Sequence, residues 1–374
     1  LRPRPLRSDR TTLPGVCSEL MADTSSSSAH APVQAVSGIM PPAIPVRGVR
    51  IAGTGSQLPS KVISNDLLAS VVQTNDEWIQ QRTGIRERRM CDRSKGESNR
   101  WLCTESLRKA LAAANMKASE LDLIICGTIS QDMRCPSTAC LVAADLGAGT
   151  AAAWDLGAAC CGFVYPLNVA HDLIRVGTHK AIGIIGCDTI TAILDYHNRG
   201  VCILFGDGAG AAVLVADSDP SRGCLAQVNK ADGTGWTDLF QPAEEWQIPE
   251  GVDRTTTKLG CLQMNGKAVF KFAVGTFQEL IAETLTKAGI SAEQVDVFVC
   301  HQSNARILDA ARERFGIPPE KLHVNIDRVG NTSAGSVPLV LDELMLAGKI
   351  KPGMIVMFVA FGAGLTWTSS LWRV

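Results

Sequence analysis

The chain has 374 residues, 46% of them hydrophobic and 20% charged, with a formal net charge of −1. That length can bury a large core, as one big domain or two similar halves. The neutral balance argues against a nucleic-acid binder, which would carry a strong basic excess. The longest apolar runs, "AIGIIG" and "MIVMFVAFGAGL", are too short or too glycine-broken to span a bilayer, and they suit buried strands of an α/β sheet.

The first segment differs in composition. Residues 1–45 are rich in Arg, Ser, Pro and Ala, and only Asp9, Glu19 and Asp23 are acidic. Met21 is a candidate true start. A Ser/Ala-rich, acid-poor leader over 1–46 reads as a transit peptide, directing the chain to a plastid or a mitochondrion. An ordinary disordered tail is the alternative.

From residue 47 onward, strand-like and helix-like segments alternate, which indicates an α/β fold. In "DEWIQQR" (76–82), Trp78 and Arg82 are four apart and share a helix face. "LAAANMKASELDLIICGT" (111–128) reads as a helix end, a polar link and a buried strand. "AAAWDLGAACCGFVYPLNVAHDLIRVG" reads as a strand, a small-residue turn and a helix. Phe163, Leu167, Ala170 and Ile174 fall on one face of that helix. Pro166 removes a donor early in it and predicts a kink. "ILFGDGAGAAVLVA" (203–216) reads as strand, glycine turn, strand. "QPAEEWQIPEGVDRTTTKL" (241–259) is polar and irregular, either a cover over a binding tunnel or a tolerated surface loop. "VDVFVCHQSNARILDAARERFG" ends a buried strand at His301 and continues through Asn304 into a helix. "HVNIDRVGNTSAGSVPLVLDELM" predicts a strand, a glycine turn and a helix starting near Asn331. "MFVAFGAGLTWTSSL" (357–371) is again strand, glycine turn, strand.

Two of these segments repeat. Leu111 to Cys126 and Leu285 to Cys300 have the same spacing within similar surroundings. The 203–216 segment echoes 357–371. Matches in the same order point to two halves of similar plan, 47–219 and 220–374. Equivalent points of two such halves meet at a shared interface, where cavities form.

The chemistry concentrates at that interface. Cys160 lies at or near a helix N-terminus, where free N–H groups and the dipole favour a thiolate and lower the thiol pKa. A lone histidine at a strand end, such as His301, is more often structural. Asn331 alone reads as a helix cap. Together they form a Cys-His-Asn arrangement suited to nucleophilic catalysis. The 13 cysteines are dispersed, none is in a CxxC, and several sit in apolar runs, so most read as small buried hydrophobes. No spacing suits a metal site. Adjacent Cys160 and Cys161 would make a strained disulfide, which weighs against a non-catalytic redox or metal protein.

The segments "DEWIQQRTGIRERR", "DLGAACCGF", "RGVCILFGDGAGAAVL", "CHQSNARIL", "DRVGNTSAGSVP" and "FGAGLTW" resemble the decarboxylating condensing enzymes of the thiolase fold. Among these, the chain over about 47–374 is similar to the β-ketoacyl-acyl-carrier-protein synthase III family. The resemblance implies two pseudo-repeated βαβαβ halves in a layered α-β-α-β-α core. It implies decarboxylative condensation of acetyl-CoA with malonyl-acyl-carrier-protein, at the start of type II fatty-acid synthesis. A same-fold enzyme taking another primer, of polyketide or quinolone type, is the alternative. Cys160 would be the nucleophile, and His301 and Asn331 would stabilise the enolate. Backbone N–H groups of Cys160 and Ala363 would bind the acetyl oxygen. Thr74, Trp78, Arg82, Arg199, Gly266, Asn304 and Arg306 would bind CoA. Lys271, Arg306, Arg312 and Arg314 would meet the acidic carrier protein. The family implies a homodimer, no metal and no cofactor, with acetyl-CoA as substrate. Cys135, in the segment that reaches the other subunit's acyl pocket, stands where a bulkier residue occurs in a bacterial type. Acetyl is the primer expected here.

Overall fold

The computed structural model describes residues 46–374. Its frame is two sheets whose middle strands are the buried apolar runs. The first sheet holds β1 (Gly48–Gln57), β2 (Leu123–Gly127), β3 (Ala152–Leu156), β4 (Ala181–Thr189) and β5 (Asp207–Asp217). Its order is β1-β5-β4-β2-β3. Strand β2 pairs in parallel with β3 and β4, and β5 is antiparallel to β4 and β1.

The second sheet holds β6 (Gly223–Ala231), β7 (Val297–Cys300), β8 (Ile355–Gly362) and β9 (Thr366–Arg373), in the order β7-β8-β9-β6. Here β7 and β8 are parallel, and the β8–β9 and β9–β6 pairs are antiparallel. Numbered along the chain within each sheet, both run third-second-fourth-fifth-first. In the second sheet the third place is only a parallel bridge between Phe298 and Leu322.

The first part of the chain supplies α1 (Asp76–Thr83), α2 (Asn99–Ala114), α3 (Thr138–Leu146) and α4 (Val164–Arg175). The second supplies α5 (Gly266–Ala288), α6 (Ala305–Phe315) and α7 (Ser336–Leu346). Strand side chains alternate between faces, so one sheet can bury both. Ile184 and Leu214 face inward with Val299 and Phe358 of the other sheet, and α4 and α7 fill the space between. Ile185 and Val213 face outward onto α2 and α3. Phe298 and Val359 pack against α5 and α6. The result is the layered α-β-α-β-α thiolase-like fold. No helix among the described residues is long and apolar enough to cross a membrane.

The 3.6-residue spacing in α4 is realised. Phe163, Leu167, Ala170 and Ile174 are each fully buried, and each large apolar side chain so buried contributes about 1.5–3 kcal/mol. Helix α4 runs unbroken through Pro166, where a kink was expected. The proline lies in the first turn, where backbone N–H groups have no helical partner to lose.

Two strand expectations fail. Residues 323–327 form no strand, because their polar side chains are drawn into other bonds. His323 Nε2 and Asn325 Nδ2 both bond Glu343, at 2.8 and 3.3 Å, and Ile326–Val329 forms a helical turn. At 203–216, the two strands expected around a glycine turn are a single strand, β5. Its glycines serve close packing instead: a Cβ on Gly210 would lie 2.7 Å from Pro338 of α7. The leader expected over 1–46 lies outside the described residues, except for its last position.

Candidate active site

Each inner helix is preceded by a short turn of small residues, Ala159–Cys161 before α4 and Ser333–Gly335 before α7. Both turns are headed by a non-glycine residue in the left-handed region, Ala159 at φ 45° and Ser333 at φ 51°. Such conformations cost on the order of 1–3 kcal/mol and concentrate at functional sites. Cys160 and Ala334 therefore follow at the same place in each turn. The two turns meet: the Cys160 thiol donates to Ser333 Oγ at 3.5 Å.

Cys160 also abuts the end of β8. A Cβ at Gly362 would lie 2.8 Å from the Cys160 nitrogen and 3.0 Å from its Cβ, so only glycine allows this approach. The expected lowering of the thiol pKa is reversed. Burial pushes the Cys160 thiol up to about 12, and helix α4 begins only at Val164, too far on for its dipole to offset this.

His301 continues β7 beyond its last residue, its N–H donating to Val359 O at 2.8 Å. The ring lies edge-on to Phe361, 5.4 Å between centroids. Burial lowers its pKa to about 3, so the imidazole is neutral at physiological pH. Nδ1 is buried without a partner, and Nε2 is the nitrogen turned to the cavity. Asn331 is bonded through both backbone groups to the 204–206 segment: its N–H donates to Leu204 O, and its carbonyl accepts from Gly206 N. Asn331 Oδ1 accepts from the Ser333 N–H at 2.9 Å, which turns the amide N–H₂ outward.

Cys160, His301 and Asn331 line one cavity, whose other walls include Phe205, Phe270 and Leu365. Gly266, at the start of α5, and Asn304 line it too. Asn304 caps α6 by accepting from Arg306 N at 3.0 Å, and its Nδ2 donates to Arg82 O at 3.0 Å. It thereby ties α1 to the cavity rim. Trp78 lies within cation–π range of two guanidinium groups, Arg82 at 4.9 Å and Arg199 at 5.2 Å from the ring centroid. Arg199 also donates to Gln73 O at 3.2 Å, beside Thr74, whose Oγ1 is buried without a partner. Arg306 stacks over Phe270 at 5.4 Å. Lys271 is exposed on α5 next to Phe270. Ala363 follows Gly362 at the turn between β8 and β9.

Arg312 and Arg314 are not brought to this mouth. They lie in the last turn of α6, about 9–12 Å along the helix from Arg306, and Arg312 pairs with Asp309 at 3.2 Å. Within 241–259 no residue lines the cavity, although Leu239 and Met264, in the small hairpin at its base, do. Sequence reasoning missed Ser333 and Asp188. Asp188, on β4, is fully buried and accepts from Ile129 N at 2.9 Å, Ser130 Oγ at 2.7 Å, Thr128 Oγ1 at 3.1 Å and Ala334 N at 3.2 Å. "NTSAGS" carries the only local signal for Ser333, a polar residue amid small ones at a turn.

A buried cysteine on a strained turn, facing neutral hydrogen-bond donors across two duplicated sheets, places the molecule among the thiolase-fold condensing acyltransferases. Models of the 3-oxoacyl-[acyl-carrier-protein] synthase III family match residues 154–233, and models of its C-terminal part match 285–374. The β-ketoacyl-[acyl-carrier-protein] synthase III of Caldanaerobacter subterraneus is 44% identical over 321 residues, covering 86% of this chain and 96% of that one. The enzyme of the same name from Xylella fastidiosa is 44% identical over 325 residues, covering 87% and 98%. The solved 3-oxoacyl-[acyl-carrier-protein] synthase III of Aquifex aeolicus superposes with a TM-score of 0.81 at 40% identity, covering 87% and 100%. The chain belongs to the β-ketoacyl-acyl-carrier-protein synthase III family.

These relatives correct the plastid assignment. They come from bacteria, which have no plastids. The Ser/Ala-rich, acid-poor composition that suggested an address is common to many polar segments and does not identify one.

Proposed function

We propose that the chain condenses acetyl-CoA with malonyl-acyl-carrier-protein, giving acetoacetyl-acyl-carrier-protein, CoA and CO2. Cys160 attacks the thioester carbonyl, and the acetyl group moves to its sulfur as CoA leaves. The N–H groups of Cys160 and Ala363 bind the carbonyl oxygen as it gains charge. Malonyl-acyl-carrier-protein then loses CO2. Its enolate oxygen is held by His301 Nε2 and the Asn331 amide, and the carbanion forms the new C–C bond as the C–S bond to Cys160 breaks. Phe205, Phe270 and Leu365 keep water from the carboxylate, which favours its loss as neutral CO2.

The observation that carries this reading is the pairing of one nucleophile with two neutral donors. A decarboxylating enzyme needs oxyanion donors more than a proton-abstracting base. Trp78 and Arg199 would hold the adenine. Thr74, Arg82, Gly266, Asn304 and Arg306 would line the path of the phosphates and pantetheine. Lys271 and Arg306 suit an acidic carrier protein at the same mouth.

A homodimer is part of the proposal. Strand β3 is an open sheet edge with Trp154 39% exposed, and Met133 in the neighbouring loop is 47% exposed. An open edge of this kind calls for a cover. Cys135 is exposed in that loop and lines no wall of its own chain's cavity.

Intact mass after incubation with acetyl-CoA tests the nucleophile. The wild-type protein is expected to gain one acetyl group and Cys160→Ala none. An adduct that persists in the variant sinks the assignment. Parallel rates with acetyl-, isobutyryl- and octanoyl-CoA test the primer. Acetyl-CoA is expected to be fastest, and a clear preference for octanoyl-CoA would overturn that part.

A further inference from the structure

The duplication exposes a difference between the halves that bears on how the thiol loses its proton. In the strand register Cys126 pairs with Ile185, and Cys300 pairs with Val359. Since Cys126 and Cys300 are equivalent, Asp188 on β4 corresponds to Gly362 on β8. In the second half, Gly362 packs bare against Cys160, where even a Cβ would lie 2.8 Å from its nitrogen. In the first half, the equivalent space is filled by the Asp188 carboxylate, which accepts the N–H of Ala334, the counterpart of Cys160, at 3.2 Å. One half thus sets a side-chain-free glycine beside the turn, and the other has built a buried carboxylate at the equivalent position.

That carboxylate is connected to the nucleophile. The Cys160 thiol donates to Ser333 Oγ at 3.5 Å, and Asp188 holds the N–H of the next residue, Ala334, at 3.2 Å, which sets its carboxylate beside Ser333. We propose that Ser333 and Asp188 form the proton-accepting pair of the acylation step. As sulfur bonds the acyl carbon, its proton moves to Ser333 Oγ while the Ser333 proton moves to Asp188. The departing CoA thiolate takes a proton from water. The proton stays on Asp188 while the acyl-enzyme lasts. It returns through Ser333 when condensation breaks the C–S bond and frees the Cys160 thiolate. The acyl-enzyme then holds no charge in this interior, and after condensation the charge rests on the hydrogen-bonded Asp188 carboxylate rather than on sulfur. Ser333 touches the reacting sulfur, and Asp188 acts through it.

The surroundings fit this role. Asp188 is fully buried and burial raises its pKa, which favours holding a proton. The titratable groups facing the pair are thiols. Burial pushes Cys187 up to about 12, and contact with Cys103 together with burial raises Cys126. Across the cavity His301 is a weak proton acceptor, because burial lowers its pKa to about 3.

The inference rests on Cys160 being the acylated residue, and the experiment separates the two. Single-turnover acetylation by acetyl-CoA is followed by intact mass from pH 6 to 9 in the wild type, Ser333→Gly and Asp188→Asn. Glycine accepts the left-handed backbone at 333 and removes the hydroxymethyl side chain without adding strain. Both variants are expected to acetylate about a hundred-fold more slowly at neutral pH. Their rates should keep rising with pH where the wild-type rate has levelled, as hydroxide replaces the missing acceptor. Ser333→Gly at the wild-type rate, or slowed with an unchanged pH profile, overturns the inference and leaves Cys160 as nucleophile. Wild-type protein acetylated elsewhere overturns both. Should Asp188→Asn fail to fold, judged by its melting curve, Ser333→Gly decides alone.

Discussion

A His301→Ala variant is expected to keep acetyl transfer to Cys160 and to lose about 10²–10³-fold in malonyl decarboxylation. The division follows from what each group can do. The nearest hydrogen-bond partner of the Cys160 sulfur is Ser333. The histidine faces the cavity with Nε2, its pKa lowered to about 3 by burial. An imidazole so depressed is neutral above about pH 4, well below its ordinary value near 6.5. In the proposed mechanism it donates one hydrogen bond to an oxygen that gains charge. Asn331 supplies a second, its amide turned by the bond from Ser333 N to Oδ1. A neutral donor pair stabilises an enolate without introducing a buried charge. Decarboxylation measured between pH 5 and 8 should therefore show no inflection from His301, since its neutral form predominates throughout. Equal losses of acetylation and decarboxylation in His301→Ala, or a wild-type inflection near pH 6.5 that vanishes in it, would assign His301 to proton transfer at Cys160.

Much of this site was legible because local patterns carry it. The apolar spacing of Phe163, Leu167, Ala170 and Ile174 locates the helix after Cys160, and those residues are buried as that spacing requires. The repeated Leu111–Cys126 and Leu285–Cys300 spacing anticipates two sheets of one strand order. Residues 323–327 misled because alternation of polar and apolar residues resembles a strand, whereas Glu343 collects their polar groups from α7. The thiol pKa misled because a helix N-terminus is visible in sequence and burial is not. Ser333 and Asp188 escaped for a related reason. Cys160 and Ser333 are 173 residues apart, and nothing in either segment names the other. A contact between duplicated halves is written in the register of strands, which only the fold displays.

The same register explains why one half alone carries the chemistry, and it yields the prediction with the largest effect on stability. Gly127 stands in the first half where His301 stands in the second, one residue beyond the equivalent cysteines. A histidine there is impossible. A Cβ at Gly127 would lie 1.5 Å from the carbonyl oxygen of Gly162 and 2.7 Å from its Cα, atoms of the backbone that follows Cys160. Backbone on both sides leaves no side chain to swing aside, so the strand end and the Cys160 turn must separate. Gly127→Ala is expected to destabilise the protein by at least about 3 kcal/mol, and to slow acetylation because the turn carries Cys160, the proposed nucleophile. Gly275→Ala provides the contrast. It lies exposed on α5 with nothing within 4 Å of an added Cβ, and there alanine should stabilise by about 0.4–1 kcal/mol. Urea and thermal midpoints of the two variants, read beside single-turnover acetylation, test the pair. A Gly127→Ala protein with wild-type midpoints would mean that the contact between β2 and the Cys160 turn is looser than the structure places it.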